Sequence, residues 1–260
     1  MAEAFRRYVH APWQREPLPS PSVMTREETT RVSNAKTRNG TKTAESIRTA
    51  AVNLFFEHGY EATTLREIAA GVNIQVGSLY NHIPSKEDLL FSIMSGVIED
   101  LILELDERLK PLKDPIERLR TAVRVHVEFH THRAREVFIG NSELRSLTQE
   151  HRSEVIALRD QYEDHIVGIL KAGTKAGVFQ VDDPKLSAYA IVTIGTQVAG
   201  WYHEGGRYRL PQIAEHYISF ILRGLGVDVA PTRNGATTGV QRRRTKPNSL
   251  KLASRPVPLR

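Results

Sequence analysis

Apolar residues recur along most of the chain at the three-to-four-residue spacing of helices, and no segment alternates with the period of a strand. In the first such stretch, Ile47, Ala51, Leu54 and Phe55 share a helical face, and Gly59 sits just past them as a stop. Thr64 then opens a second helix with a capping box completed by Glu67. Leu65, Ile68, Ala69 and Val72 form its apolar stripe. A break is expected at Gly71-Val72-Asn73-Ile74, because glycine and asparagine tolerate turn conformations. A short helix from Gln75 to Ile83 stops against Pro84, and Ser85 caps the next helix with Asp88 three residues on. Two short helices joined by a tight turn pack their inner faces and leave the outer face of the second free to enter a DNA groove.

Beyond Ser85 the pattern stays helical to Gly226. Leu89, Leu90, Ile93, Met94, Val97, Ile98, Leu101, Leu105 and Leu109 predict a broad-faced helix of about 25 residues. Asp114-Pro115, with Glu117 behind them, predicts a helix through Leu119, Val123 and Val127 to about His130. A segment from Arg135 to Leu147 follows, then a long helix opening at Thr148 and ended by Gly173 and Gly177. Asp183-Pro184 restarts the chain for a helix from Leu186 to His203, and Gly205-Gly206 leads to a last helix from Pro211 to Leu225. The expectation is an all-α chain of about nine helices, with a three-helix N-terminal unit before a larger helical domain.

Charge divides the chain differently. Residues 1–42 hold 8 Lys/Arg and 4 acids, and residues 230–260 hold 8 Lys/Arg and no acid, which leaves 20 basic and 26 acidic residues between them. Both ends are poor in apolar anchors, so the expected organisation is a disordered basic arm at 1–42, a DNA-binding unit at 43–88 with its helix-turn-helix at about 64–83, a second domain at 89–229 and a disordered basic tail at 230–260. Such ends either add non-specific attraction to phosphates or merely solvate the protein. The absence of cysteine excludes disulfides, cysteine zinc sites and cysteine nucleophiles. Residues 1–22 lack the apolar run of a signal peptide, and no uncharged stretch nears the roughly 20 residues of a membrane span, so a cytoplasmic protein is expected.

The run AVNLFFEHGYEATTLREIAAGVNIQVGSLYNHIPSKEDLL resembles the DNA-binding domain of TetR-family transcriptional regulators. The landmarks are Gly59-Tyr60, Thr63-Thr64, Ile68-Ala69, Val72, Leu79-Tyr80, His82 and Ser85-Lys86-Glu87; Ile83 departs where the family usually has an aromatic residue. The resemblance implies a homodimer that reads a palindromic double-stranded operator, and a C-terminal domain for dimerisation and ligand. NSELRSLTQEHRSEVIALRDQYE, GWYHEGGR and HYISFILRGLG are similar to actinobacterial regulators of steroid and fatty-acid catabolism, which implies a small hydrophobic or acyl-CoA effector. A repressor released by that effector is the expected function, with no enzymatic activity and no cofactor.

For DNA, Thr63 and Thr64 at a helix N-terminus are suited to a phosphate, as is Lys86 at the next helix start. Gln75, Val76, Ser78 and Asn81 are candidates for base edges, since Gln and Asn bond adenine bidentately and Val meets a thymine methyl. Gly77 permits close approach, and Arg66 reaches backbone or base. The resemblance places Tyr80 and His82 on the DNA backbone. The expected effector pocket comprises Phe129, His130, Phe138, Asn141, Arg145, Tyr162 and Trp201, with Arg145, Arg152 or Arg159 facing a CoA phosphate. The expected dimer surface draws on Ala190, Ile191, Ile194, Val198 and Trp201 with Ile213, Tyr217, Phe220, Ile221 and Leu225, some of which must instead be core. Two competing readings are an architectural DNA-coating protein that uses its basic ends and a metal-responsive regulator that uses His126 and His130, spaced i,i+4.

Overall fold

The computed structural model describes residues 26–229, with side chains from residue 42. Ten α-helical segments and one 3₁₀ turn make up these residues, and no strand occurs among them. The expected tail at 230–260, including its arginine cluster, and the first part of the expected arm lie outside the described residues.

Helix α1 spans Arg26–His58, so helical backbone reaches well into the stretch expected to be a disordered arm. No proline lies between residues 26 and 42 to end it, and Arg, Glu, Lys and Ala there are good helix formers. Its end is the expected one: Gly59 adopts φ +85°, and its N–H closes on the Phe55 carbonyl at 3.0 Å. Helix α2 (Leu65–Gly71) carries the full capping box, with Thr64 Oγ1 accepting from the Glu67 N–H at 3.2 Å and Glu67 Oε2 accepting from the Thr64 N–H at 2.7 Å. These bonds hold the Glu67 carboxyl below its ordinary range. The turn that follows is carried by Asn73, at φ 56°, while Gly71 stays helical. Helix α3 is helical over Val76–Leu79; beyond it Asn81 and His82 bond three residues back, as in His82 N–H to Leu79 O at 2.9 Å, and Ile83 N–H reaches the same carbonyl at 3.0 Å. Pro84 disfavours helical backbone at the residue before it.

Helix α4 (Lys86–Leu109) is the piece shared by both halves. Its first turns place Leu89, Leu90, Ile93 and Met94 in one core with Ile47, Phe55, Ile68 and Leu79. Its later turns place Leu101, Leu105 and Leu109 in a second core with α5 (Pro115–His132), α7 (Gln149–Lys175) and α10 (Leu210–Gly224). Between these elements run α6 (Ala134–Ser142), the 3₁₀ turn Leu144–Ser146, α8 (Pro184–Thr196) and α9 (Val198–Trp201). The helix expected from Leu186 to His203 is thus two segments that meet at Gln197. Gly173, expected at a helix end, lies inside α7, where a Cβ would meet the Phe179 ring at 2.0 Å. Its role is close packing, and Gly177 (φ +73°) makes the turn.

Ionic groups fasten the junction of the two cores. Arg133, the residue that ends α5, lies 3.4 Å from Asp100 on α4 and 2.8 Å from Glu136 on α6. Glu136 also meets Arg48 of α1 at 3.5 Å. A second tie joins the starts of α4 and α7, where Glu87 accepts from the Thr148 N–H at 2.9 Å and sits 2.9 Å from His151 Nδ1. Among the described residues no helix is long and apolar enough to cross a membrane.

Candidate functional site

The first candidate surface is the outer side of α2 and α3. Leu79 and Ile83 turn inward and are buried, which leaves Gln75, Gly77, Ser78, Tyr80 and Asn81 exposed on the other side. Tyr80 is 54% exposed, a large aromatic that the protein's own core does not use. A Cβ on Gly77 would meet nothing within 4 Å, so internal packing does not require glycine there. Thr64 and Arg66 are exposed, whereas Val76 and His82 are partly buried.

Two expected phosphate contacts are spent internally. Thr63 is buried, and its hydroxyl lies 2.8 Å from the Gly59 carbonyl and 3.2 Å from the Leu54 carbonyl. Lys86 turns back into the protein. Its Nζ donates to the carbonyls of Tyr60 and Thr63 at 2.9 Å each, reaches that of Glu61 at 3.3 Å, and lies 4.3 Å over the Tyr60 ring. A lysine can satisfy carbonyls left open by a turn as readily as it can face a phosphate, and sequence does not distinguish the two uses.

The second candidate site is a small cavity of about 10 Å³, room for a single water, between α5, α7, α8 and α10. Val123 and His126 line it from α5, Tyr162 and Ile166 from α7, Ile191 and Gly195 from α8, and Tyr217 and Ile221 from α10. Of the seven residues expected in a pocket, Tyr162 lines this one. Phe129 and His130 stand one turn further along α5, the His130 ring 3.9 Å from that of His126. Phe138, Asn141, Arg145 and Trp201 are exposed and do not line the cavity. Phe138 instead packs edge-on against Phe56 at 5.3 Å, and Arg135 covers Phe56 at 5.4 Å. His126, which the sequence offered only to the alternative metal-responsive reading, and Tyr217, Ile191 and Ile221, expected at a dimer face, line the cavity although they were outside the expected pocket. The available signal was the i,i+4 histidine pair on the same face of α5 as the core valines.

His126 is fully engaged: Nδ1 lies 2.6 Å from the Tyr162 hydroxyl, and Nε2 lies 3.1 Å from both Val192 O and Thr196 Oγ1. His130 Nδ1 lies 2.9 Å from the His126 carbonyl. Burial, reinforced by the neighbouring His130, pushes His126 well below its ordinary range, and burial lowers His130 to about 4. Burial also pushes the Tyr162 phenol up. Both ring nitrogens of His126 already have protein partners, which disfavours the metal-responsive alternative. Among the described residues, Glu87, Asp88 and His151 have ligand atoms within 4.8 Å of one another, but Glu87 is paired to His151 and Asp88 bonds the Ser85 hydroxyl at 2.6 Å.

The faces of α8 and α10 expected to dimerise are split by the fold. Ile191, Val198, Ile213, Ile221 and Leu225 are buried within the chain, and Ile194 and Tyr217 are partly buried. Ala190, Trp201 and Phe220 are exposed, and Leu186 (66% exposed) and Tyr189 (43%) join them on α8.

Comparison with known proteins agrees with this geometry. Residues 47–93 match the model for bacterial regulatory proteins of the tetR family, and residues 112–225 match a tetracyclin repressor-like C-terminal domain. The HTH-type transcriptional repressor KstR2 of Rhodococcus jostii is 31% identical over 177 residues, covering 67% of this chain and 87% of that protein. A tetR-family regulatory protein from Rhodococcus RHA1 superposes with a TM-score of 0.68 at 31% identity, over 72% of this chain and 99% of its own. AibR, solved in complex with isovaleryl coenzyme A and operator DNA, gives a TM-score of 0.63 at 30% identity, over 68% of this chain and 97% of its own. The chain is therefore a regulator rather than an enzyme, and it belongs to the TetR family of bacterial regulatory proteins.

Proposed function

We propose that this chain acts in the cytoplasm as a homodimeric repressor that reads a palindromic double-stranded operator and is released by a small hydrophobic or acyl-CoA-type effector. In this reading Gln75, Val76, Ser78 and Asn81 meet base edges, with Gly77 allowing close approach; Thr64, Arg66, Tyr80 and His82 meet the backbone. The carrying observation is the division of α4 between two cores, so that any displacement of its later turns is delivered to the reading head. Two recognition helices must stand about 34 Å apart to enter successive major grooves, and a rigid helix that tilts changes that distance. A cavity of about 10 Å³ cannot hold an effector without parting α5, α7, α8 and α10. Ligand and closed packing are then alternatives, which supplies the differential affinity that a release mechanism requires. AibR, whose complex contains isovaleryl coenzyme A, supports a thioester as the ligand class. A chain that coats DNA through its basic ends would show neither sequence preference nor effector response.

The test is binding of the purified protein to its own upstream DNA and to scrambled DNA at about 150 mM salt, beside the Gln75→Ala/Asn81→Ala variant. A preference of roughly a thousandfold or more, lost in the variant and relieved by an acyl-CoA, supports the reading. Equal, steeply salt-dependent binding of both DNAs, unchanged by the double substitution, would refute it.

A further inference from the structure

One motif has no part in the reading head or the cavity: the run Arg242-Arg243-Arg244, in a stretch, residues 230–260, that holds 8 Lys/Arg and no acid. That stretch lies outside the described residues, but the structure fixes where the chain leaves the body. The Gln180 N–H donates to the Leu225 carbonyl at 2.8 Å, Arg223 reaches the Val229 carbonyl at 3.4 Å, and Val227 and Val229 pack against the second core. Val229 is thus held at the C-terminal end of α7. The other end of α7 is at the reading head, where the Thr148 N–H meets Glu87 of α4 at 2.9 Å. The two helices run side by side, with His165 Nε2 3.0 Å from Asp106 near the far end of α4. The 27 residues of α7 span about 40 Å.

That length decides which DNA the arginines can meet. Arg242 is 13 residues past Val229. A flexible chain of that length averages about 20 Å end to end, and full extension gives about 45 Å. The run therefore reaches an operator against α2 and α3 only when stretched along the whole body. Residues 43–229 hold 20 Lys/Arg and 26 acids, so the body repels a polyanion and positive charge is concentrated beyond Val229. Residues 230–260 contain no aromatic residue, which disfavours base stacking on single strands and anchoring in a lipid interface. The phosphates of a duplex require neither. We propose that residues 230–260 hold a second stretch of duplex DNA by its phosphates, with Arg242-Arg243-Arg244 as the main contact, so that a regulator on its operator joins two DNA segments. Such joining requires the head to read an operator, as in the proposed function.

The test immobilises the upstream DNA, loads the full chain at about 150 mM salt and adds a labelled random-sequence duplex. The expected result is retention of labelled duplex in proportion to bound protein, falling steeply as salt rises. Arg242→Ala/Arg243→Ala/Arg244→Ala should stay on the immobilised DNA with unchanged affinity and retain at least about tenfold less labelled duplex. A loss of affinity for the immobilised DNA would place the arginines on the same duplex as the head and overturn the proposal. Equal retention of labelled duplex by both proteins, or by neither, would also overturn it, as would retention of anionic phospholipid vesicles in place of the duplex. Failure of the operator reading shows separately, as no preference of either protein for the immobilised DNA over a scrambled one, and then both readings fall.

Discussion

The Lys86 ammonium lies 4.3 Å above the Tyr60 ring and bonds the Tyr60 carbonyl at 2.9 Å. The first residue of α4 thus grips the turn between α1 and α2, so the orientation of the reading head depends on it. The Tyr60 phenol feels the same enclosure, since burial and the nearby Glu87 carboxylate raise it to about 12. Replacing Lys86 by Ala should cost about 1–3 kcal/mol through stranded carbonyls and lower the calorimetric melting temperature by several degrees. DNA affinity should weaken with the slope of log K against log salt unchanged. A direct phosphate contact would instead reduce that slope by about 1.

Gly195 faces His126 so closely that a methyl group has no room. Gly195→Ala should force the imidazole off Val192 and Thr196, with an overpacking cost of about 1–3 kcal/mol. In chemical denaturation this would appear as a lower midpoint at an unchanged slope. A variant as stable as the parent would mean that α8 shifts easily, contrary to a tightly closed cavity.

The buried histidines set a pH dependence. His130 is lowered to about 4 and His126 falls in the same direction, so between their ordinary value near 6.5 and pH 4 the unfolded chain binds more protons than the folded one. Their contribution is present in full above about pH 6.5 and is lost as pH falls toward 4. Asp100 and Glu99, raised chiefly by burial, act in the opposite sense over part of that range. The comparison is therefore with His130→Gln, whose unfolding free energy should fall less steeply, by about 1.4 kcal/mol per pH unit within the window. Parallel curves for the two proteins would show that His130 is not held neutral by the fold.

Leu186, Tyr189 and Phe220 are large apolar residues exposed on α8 and α10. If a second copy covers them, Leu186→Glu/Phe220→Glu should convert the dimer to a monomer in sedimentation velocity and weaken operator binding by at least about a hundredfold, because each half-site then binds alone. The fold should survive, since both residues are exposed in the single chain. A parent that sediments as a monomer at the same concentration would remove the basis of the prediction.

Much of this protein was legible in short stretches of sequence. Thr64 with Glu67, Ser85 with Asp88, Asp114-Pro115 and Asp183-Pro184 announce helix starts, and the structure has them there. Caps depend on residues within three or four positions, so local sequence is enough to fix them. The same holds for Gly59, where the backbone conformation selects the residue. The exposed edge of α3 was legible because Leu79 had to turn inward and its helical neighbours therefore outward.

Tertiary structure alone decided which helix covers which face. Ile191 and Ile221 read like Leu186 and Phe220 in sequence, yet the first two close a cavity and the others face solvent. His126 and Tyr162, 36 residues apart, become partners because α5 and α7 cross beside a glycine of α8. Phe138 and Trp201 point outward for the same kind of reason. Helical periodicity groups residues onto a face, but burial is a property of the neighbour laid against it, and a single sequence does not name that neighbour.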